Sequence, residues 1–385
     1  MKSRVMIQVG DRRILDDEWE IPVVGPGEAL MQVEVCGICG SDVELYKGSV
    51  AAAGILRYPL IPGHEPIGRI VEIGSEAAKR WKVKVGDRIA LEPNLSCGRC
   101  DLCLTGSYHD CQSLMPPGAP PAYGFTPTDV GHGFWGGYSQ FMHLHERTIF
   151  HRVPDSMPLS IAALYQPLAA GVRWAVQVPE LGLGDSILIL GSGQRGLGSI
   201  VAAKAAGAGQ IIVTGTSRSH AKLELAKKLG ADHVIQADKE TVVDRVKAIT
   251  SGKGVDVVVD TVPLDTGPIV DAVECVRLGG KIVLAGVKDK NQPIAVNTNR
   301  LIYKEITIKG AYAQNFPAYV EAFRILSRIG PDLSGLHTHE FRLWDVEQAL
   351  LVMAKEKKSP VDPICVTLHP ESSSMAASSA AHALL

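Results

Sequence analysis

The sequence has neither a long apolar run nor a run of basic residues. No stretch of about 18 uncharged apolar residues occurs, which argues against a membrane span. The amino-terminal residues MKSRVMIQVGDRR lack the apolar core of a signal peptide, so we expect a cytoplasmic protein. The formal net charge is −2 and the basic residues are dispersed, which argues against a nucleic-acid partner.

The chain is instead rich in apolar residues, and its cysteines are clustered. It contains 385 residues, 46% of them hydrophobic, which is enough for about two domains. Four of the eight cysteines lie between Cys97 and Cys111. Such uneven spacing is not typical of a secreted disulfide framework, and in a reducing compartment it indicates a metal site.

The sequence pattern changes twice along the chain. Up to about Arg152, short β-branched runs such as ALMQVEVCG and IGRIVEIG predict an irregular, mainly β domain. From Asp185, apolar runs from SILILG to KIVLAGV alternate with helical patterns, which predicts a doubly wound parallel sheet in an α/β domain. After about Thr298 the pattern changes back. EITIKGAY and ICVTLH are strand-like, and FPAYVEAFRILSRIG between them is helical. We therefore expect a split β domain with the α/β domain inserted in it.

The expected boundaries follow from these changes. The β domain should comprise residues 1–157 and 301–368, with a cysteine lobe at about 92–115. Residues 158–300 should form the inserted domain. Residues 369–385 include the low-complexity run ESSSMAASSAAHALL, which predicts a disordered tail.

The cysteine cluster has the spacing C-x2-C-x2-C-x7-C, formed by Cys97, Cys100, Cys103 and Cys111. Four thiolates close a tetrahedral zinc shell and leave no open position, so this site should be structural. Ordinary buried cysteines rarely recur at such spacing. An iron–sulfur cluster is the sharper alternative, because a related spacing occurs in ferredoxins, although no second cluster motif is present.

A glycine-rich turn follows the first strand of the α/β region. Its G-x-G-x-x-G pattern opens a predicted helix, the context that dinucleotide binding requires. Without side chains the backbone can approach a pyrophosphate, whose charge the helix amino terminus favours. The alternative is a glycine-rich turn without a ligand. The expected nucleotide contacts are Gly191, Gly193, Gln194, Gly196 and Leu197.

The next predicted strand ends without a carboxylate, in Gly215, Thr216, Ser217 and Arg218. An acidic residue there normally holds the ribose hydroxyls of NAD and would repel a 2′-phosphate. Hydroxyls and an arginine would instead bind that phosphate, so we favour NADP(H) over NAD(H). The alternative for Arg218 is a solvated surface arginine.

Three further motifs carry a family resemblance. They are CGICGSD at Cys36–Asp42, GHEPIG at Gly63–Gly68 and VGDRIALEP at Val85–Pro93. With the cysteine lobe and the glycine-rich turn, the sequence from about Ala29 to about Val366 resembles the zinc-dependent medium-chain alcohol and polyol dehydrogenases, such as those for sorbitol, threonine and glucose. The resemblance implies a Rossmann domain inserted in a GroES-like catalytic domain, two zinc ions per chain, and a homodimer or homotetramer.

The resemblance also assigns roles to individual residues. It implies that Cys39, His64 and Glu65 ligate a catalytic zinc. Asp42 matches the acid that orients the ligand histidine, and Ser41 matches the hydroxyl that starts a proton relay.

Two positions depart from the family pattern. Gln166 stands where the family often has Cys, Asp or Glu as a further ligand, and a neutral amide is a poorer donor; some sugar dehydrogenases also have glutamine there. Whether Gln166 or Glu65 ligates the zinc stays open. Glu44 stands where many relatives carry a relay histidine, so it either relays protons through water or faces solvent.

These features together predict hydride transfer between a secondary alcohol or polyol, or its ketone, and NAD(P). A zinc ion would lower the pKa of the alcohol, Ser41 would accept its proton, and the nicotinamide would lie in a cleft between the domains. The alternatives are a zinc-free NADPH quinone or enone reductase and a non-catalytic nucleotide-binding relative. Aromatic residues after the lobe either line the substrate pocket or pack the lobe: Tyr123, Phe125, Phe134 and Trp135.

Overall fold

The chain forms two compact units. The computed structural model describes residues 1–52, 56–111, 122–288 and 292–370. The first unit combines Met1–Ala163 with His337–Leu385, and the second is the continuous segment Leu164–Leu336. In the described part of the chain, no helix is both long and apolar enough to cross a bilayer.

Strands and helices have the following bounds. The strands are β1 (Lys2–Gly10), β2 (Arg13–Glu20), β3 (Ala29–Ile38), β4 (Glu65–Ile73), β5 (Arg88–Leu91), β6 (Phe141–Leu144), β7 (Phe150–Arg152), β8 (Ser186–Leu190), β9 (Gln210–Gly215), β10 (His233–Gln236), β11 (Val255–Asp260), β12 (Val276–Leu284), β13 (Thr307–Gly310), β14 (His337–Arg342) and β15 (Cys365–His369). The helices are α1 (Gly40–Lys47), α2 (Ser49–Ala52), α3 (Ser75–Trp81), α4 (Asp101–Leu104), α5 (Leu159–Ala162), α6 (Tyr165–Gly171), α7 (Gln194–Ala205), α8 (His220–Lys228), α9 (Val242–Ile249), α10 (Gly267–Cys275), α11 (Thr298–Tyr303), α12 (Phe316–Ile329) and α13 (Val346–Met353). A π-helical segment, Val172–Gln177, continues α6.

The first unit is built mainly from strands. β1 and β2 form an antiparallel pair, and a larger sheet has the order β14-β15-β3-β4-β5-β7, with β6 also paired to β3. Only β14 and β15 run parallel among the pairs described in this sheet. β3 is central, and its sequence ALMQVEVCGI is buried at most positions, as expected for a strand covered on both faces.

The second unit is a parallel sheet with helices between its strands. The order is β10-β9-β8-β11-β12-β13, and every described pair is parallel. The apolar runs of β8 and β11 are buried at its centre. The fold class predicted from the sequence, a doubly wound α/β domain within a split β domain, is confirmed.

Two boundaries in the structure, the end of the second unit and the start of β12, differ from those predicted from the sequence. The second unit continues to Leu336 instead of ending near residue 300. The reason is that β13 adds a sixth parallel strand beside β12, and α12 contacts α6. The strand β12 begins at Val276, five residues before the apolar run KIVLAGV from which it was predicted.

The predicted tail and the predicted cysteine lobe both extend beyond the described residues. His369, expected in the tail, is the last residue of β15. The rest of that tail, from residue 371, lies outside the described residues, and so do residues 112–115 of the cysteine lobe.

Candidate metal centre and nucleotide site

The turn from β3 into α1 positions Cys39. Cys39 follows the last residue of β3 and is the N-cap of α1, with an extended backbone. Its N–H donates to the Asp42 carboxylate at 2.8 Å, three residues ahead. This contact fixes the start of the helix, so the Cys39 thiol has a defined position at the end of a buried strand.

His64 lies on the loop that leads into β4. The preceding residue, Gly63, has a φ of +93°, and a Cβ there would lie 2.4 Å from the Tyr138 ring, so this turn requires glycine. The imidazole Nδ1 lies 3.2 Å from Asp42 Oδ1, while Nε2 lies 3.4 Å from Ser41 Oγ. Asp42 therefore contacts the backbone of Cys39 and the side chain of His64 at once, and it directs Nε2 away from itself.

Glu65 is the first residue of β4 and lies opposite Gly37 of β3 in the sheet register. Its side chain is 1% exposed, and a Cβ on Gly37 would come within 2.6 Å of Glu65 Oε2. The first glycine of CGICGSD, Gly37, therefore makes room for a buried carboxylate. Glu65 Oε1 lies 4.0 Å from His64 Nε2.

The side chains of Cys39, His64 and Glu65 converge and are candidate metal ligands. One ligand atom each from Cys39, His64 and Glu65 lies within 4.8 Å of the others, and all three residues are buried. Burial alone would lower the pKa of His64, but Asp42 and Cys39 raise it above its usual value. The pocket thus favours positive charge, and a thiolate, an imidazole and a carboxylate are the ligand types that zinc takes.

Two other predicted residues have partners of their own. Glu44 is partly exposed, accepts a hydrogen bond from Ser49 at 2.8 Å, and lies 3.9 Å from Lys47. Gln166 is buried in the second unit, where its Oε1 accepts a hydrogen bond from Tyr319 at 2.8 Å. The relay role of Glu44 and the ligand role of Gln166 stay predictions.

The four cysteines of the lobe converge. Their Sγ atoms all lie within 4.8 Å of one another. The Sγ–Sγ distances are 3.5 Å for Cys100–Cys103, 3.8 Å for Cys100–Cys111 and 3.9 Å for Cys97–Cys103. A tetrahedral zinc with Zn–S bonds of about 2.3 Å requires sulfur separations of about 3.8 Å. Backbone hydrogen bonds from Arg99 and Cys100 lower the pKa of Cys97 to about 6.

The glycine-rich turn has the local geometry of a phosphate-binding loop. It connects β8 to α7, whose N-cap is Gly193. A Cβ on Gly196 would lie 2.0 Å from the Gly191 carbonyl oxygen, so only glycine fits there. Gly193, in contrast, is exposed with nothing within 4 Å of a built Cβ, which leaves the helix amino terminus open to an anion.

A carboxylate that sequence reasoning missed lies beside the end of β9. Asp238 follows β10, the neighbouring strand, and accepts hydrogen bonds from the Ser217 N–H at 2.7 Å and from the Ser217 hydroxyl. These bonds lower the pKa of Asp238. Arg218 is exposed. The signal for Asp238 was available, because the carboxyl ends of adjacent parallel strands meet at one edge of a sheet.

The aromatic residues after the lobe have two different roles. Tyr123, Phe134 and Trp135 are at most 2% exposed and belong to the core of the first unit. Phe125 is partly exposed, and its ring lies 4.8 Å from that of His64. Only Phe125 of this set therefore contacts the candidate metal centre.

Comparison with known proteins identifies two domains and close relatives. Residues 25–155 match the alcohol dehydrogenase GroES-like domain, and residues 196–328 match the zinc-binding dehydrogenase domain. A probable alcohol dehydrogenase of Mycobacterium tuberculosis is 35% identical over 371 residues, 95% of this chain and 98% of that one. Sorbitol dehydrogenase of Bacillus subtilis is 33% identical, over 91% of this chain and 92% of that one.

Solved structures show the same architecture. An alcohol dehydrogenase from Thermotoga maritima has a TM-score of 0.85 at 27% identity and covers 96% of this chain and 100% of its own. The 2R,3R-butanediol dehydrogenase of Bacillus subtilis has a TM-score of 0.78 at 25% identity, over 96% and 100%. The chain belongs to the zinc-dependent medium-chain alcohol and polyol dehydrogenase family and is an NAD(P)-dependent oxidoreductase.

Proposed function

We propose that this chain moves a hydride between a secondary alcohol or polyol, or the matching ketone, and NAD(P), with Cys39, His64 and Glu65 holding the catalytic zinc. The observation that carries the proposal is the convergence of three buried ligand atoms within 4.8 Å. Catalytic zinc sites use three protein ligands and keep a fourth position open for substrate. A zinc-free reductase or a non-catalytic relative would have no use for this set.

The chain's own residues orient the site and move the proton. Zinc would supply a Lewis acid that lowers the pKa of the alcohol hydroxyl. Asp42 contacts Nδ1 of His64, which leaves Nε2 as the atom that would bind the zinc. Ser41 Oγ lies 3.4 Å from Nε2, which supports it as the acceptor of the alcohol proton. Glu44 is the proposed next acceptor, since its carboxylate is partly exposed and can pass the proton to water.

A second zinc is proposed in the cysteine lobe. The sulfur separations of 3.5–3.9 Å match one tetrahedral ion. In an iron–sulfur cluster the four thiolates are distributed over two or four irons, so at least some of them are farther apart than four thiolates on one ion. A closed shell of four thiolates offers no position for substrate, so this ion stabilises the lobe.

NADP(H) is the proposed cofactor, and two residues act on that choice in opposite directions. The exposed Arg218 guanidinium suits a 2′-phosphate. Asp238 disfavours that phosphate, because its carboxylate already takes the N–H and hydroxyl of Ser217. We propose that Arg218 dominates and that Asp238 keeps NAD(H) usable.

Metal content and activity in matched cysteine variants test the proposed function. Cys39→Ser should lose one zinc per chain and lose turnover of secondary alcohols and polyols. Cys36→Ala is the control: Cys36 is a buried thiol in the same motif but outside the ligand set, so its variant should keep the zinc content and the activity of wild type. Full activity in a folded, metal-free sample would reject the zinc mechanism.

The oligomeric state is proposed to be a homodimer or a homotetramer. Light scattering coupled to size-exclusion chromatography would measure it directly, and a monomer at micromolar concentration would contradict the proposal.

A further inference from the structure

Three ligand-type side chains meet at the edge of the first unit's large sheet. His337 and Glu340 lie on the edge strand β14, and His369 ends the neighbouring strand β15. One ligand atom from each residue lies within 4.8 Å of the others. None of the three belongs to the catalytic set or to the cysteine lobe. We call this group the edge triad.

A β-bulge brings the edge triad together. Residues three apart point to opposite faces of a regular strand. The pairing of β14 with β15 shifts register between His337 and His339, so His337 lies opposite Cys365 and Glu340 lies opposite Thr367. Cys365 and Thr367 share a face of β15, and His369 follows two residues later on that face. The extra residue in β14 therefore aligns His337 and Glu340 with His369.

The hydroxyl of Thr367 orients both imidazoles. Its Oγ1 lies 2.9 Å from His337 Nε2 and 3.0 Å from His369 Nε2. A hydroxyl has one proton, so at least one of the imidazoles must donate its own Nε2–H to Oγ1. In that imidazole the lone pair is on Nδ1, the form that binds a metal. A hydrogen bond to the other ring nitrogen is what fixes metal-binding histidines in general.

The carboxylate of the triad is placed to balance a cation. Glu340 Oε1 lies 3.6 Å from His337 Nδ1. The His337 side chain is 8% exposed and that of Glu340 is 41% exposed, so the group is closed on the sheet side and open on the solvent side. Arg342, which lies opposite His369 in the register, has its guanidinium bound to Asp345 at 2.7 Å. The Arg342 guanidinium is thus already paired with the Asp345 carboxylate.

We propose that His337, Glu340 and His369 bind a divalent transition-metal ion of the borderline class, represented by Zn²⁺. Two imidazoles and a carboxylate are a donor set that zinc takes, and the solvent side supplies a water as the fourth ligand. The ion would tie the edge strand β14 to its neighbour β15. The site is independent of the catalytic zinc and of the cofactor.

Zinc stoichiometry of the intact protein tests the edge triad. Wild type, His369→Asn and Glu340→Gln are dialysed against buffered free zinc, and bound zinc per chain is measured by mass spectrometry. Wild type should hold one more ion than either variant, and loss of one ligand should weaken binding at least about tenfold. The difference in zinc content between wild type and variant does not depend on how many ions the other two sites hold. A failure of the proposed catalytic zinc can therefore be distinguished from a failure of the edge triad.

His339→Asn is the matched control. His339 lies on the same strand but pairs with Val366, on the opposite face, and its Nε2 contacts Ser359 at 2.7 Å. This variant should keep the additional ion, and it should also keep the rise in melting temperature that zinc causes in wild type. Equal zinc content in wild type, His369→Asn and Glu340→Gln would overturn the proposal, as would equal losses in His339→Asn. Thermal unfolding in the presence of chelator confirms that every variant is folded.

Discussion

Asp42 connects two ligands of the candidate catalytic centre through one carboxylate. Its Oδ2 accepts the Cys39 N–H and its Oδ1 contacts His64 Nδ1, while the residue itself is 1% exposed. Removing the charge of Asp42 therefore changes the orientation and the basicity of His64 without removing a ligand.

Asp42→Asn should weaken zinc binding at the catalytic site by about 10- to 100-fold, the range found for residues that orient metal-bound histidines. Competition with a chromophoric chelator measures the affinity. Ser41→Ala is the control, because it should keep the zinc affinity while turnover falls by about 10²-fold or more. If Asp42→Asn leaves the affinity unchanged, the orienting role of Asp42 is wrong.

Gly37 leaves space for the side chain of Glu65. A Cβ there would lie 2.6 Å from Glu65 Oε2, whereas a Cβ on Gly40 has nothing within 4 Å. Gly37→Ala should therefore displace Glu65, lower the zinc affinity and cost about 1–3 kcal/mol of unfolding free energy, as overpacking does. Gly40→Ala should change neither quantity by much. Denaturant unfolding and zinc titration of both variants check this, and equal behaviour would contradict it.

At the scale of elements, two glycines in the turn between β8 and α7 have different expected roles. Gly196 allows close packing of the backbone, and Gly193 leaves room for the cofactor. Gly196→Ala would put a Cβ 2.0 Å from the Gly191 carbonyl oxygen and should destabilise the protein without cofactor. Gly193→Ala has space for its Cβ, so melting without cofactor should change little, while cofactor affinity should fall because the methyl group would occupy the proposed approach of the pyrophosphate. Calorimetric titration and thermal unfolding together distinguish the two, and normal cofactor affinity in Gly193→Ala would contradict the phosphate role.

We propose that residues at the ends of β9 and β10 together set the cofactor preference. Arg218→Ala should reduce kcat/KM for NADP(H) about tenfold or more, about 1.4 kcal/mol, and affect NAD(H) much less. Asp238→Asn should do the reverse and raise the NADP(H)/NAD(H) ratio, because it removes a carboxylate from the phosphate position. Asp244→Asn, an exposed carboxylate on α9, controls for the change in net charge. Equal effects on both cofactors would overturn the assignment.

At the scale of the whole molecule, stability and activity should depend on different metal ions. Cys103→Ser opens the four-thiolate shell, and since metal binding in such sites contributes directly to folding, the melting temperature should fall by several degrees. Leu104→Ser, at the neighbouring position and 72% exposed, is the control. Cys103→Ser should keep the zinc at Cys39 and retain activity per folded molecule, whereas Cys39→Ser should lose activity. Parallel loss of stability and activity in both variants would contradict two separate roles.

The alternation of strands and helices determined the second unit, because apolar runs and glycine turns are local signals. The four cysteines and the CGICGSD and GHEPIG motifs likewise named the ligand candidates. What sequence could not supply were two contacts between distant segments: Gly37 beside Glu65, and β13 in the parallel sheet. Each depends on strand register, which no local pattern specifies.

The sequence by itself thus determined which residue types are available for chemistry, and in which elements they lie. Only the tertiary structure decided which of them meet. Cys39 and His64 come together because β3 and β4 pair antiparallel, with Gly37 opposite Glu65. His337, Glu340 and His369 meet because one extra residue in β14 reverses the direction of the side chains that follow it, a shift that a linear reading of alternation cannot detect.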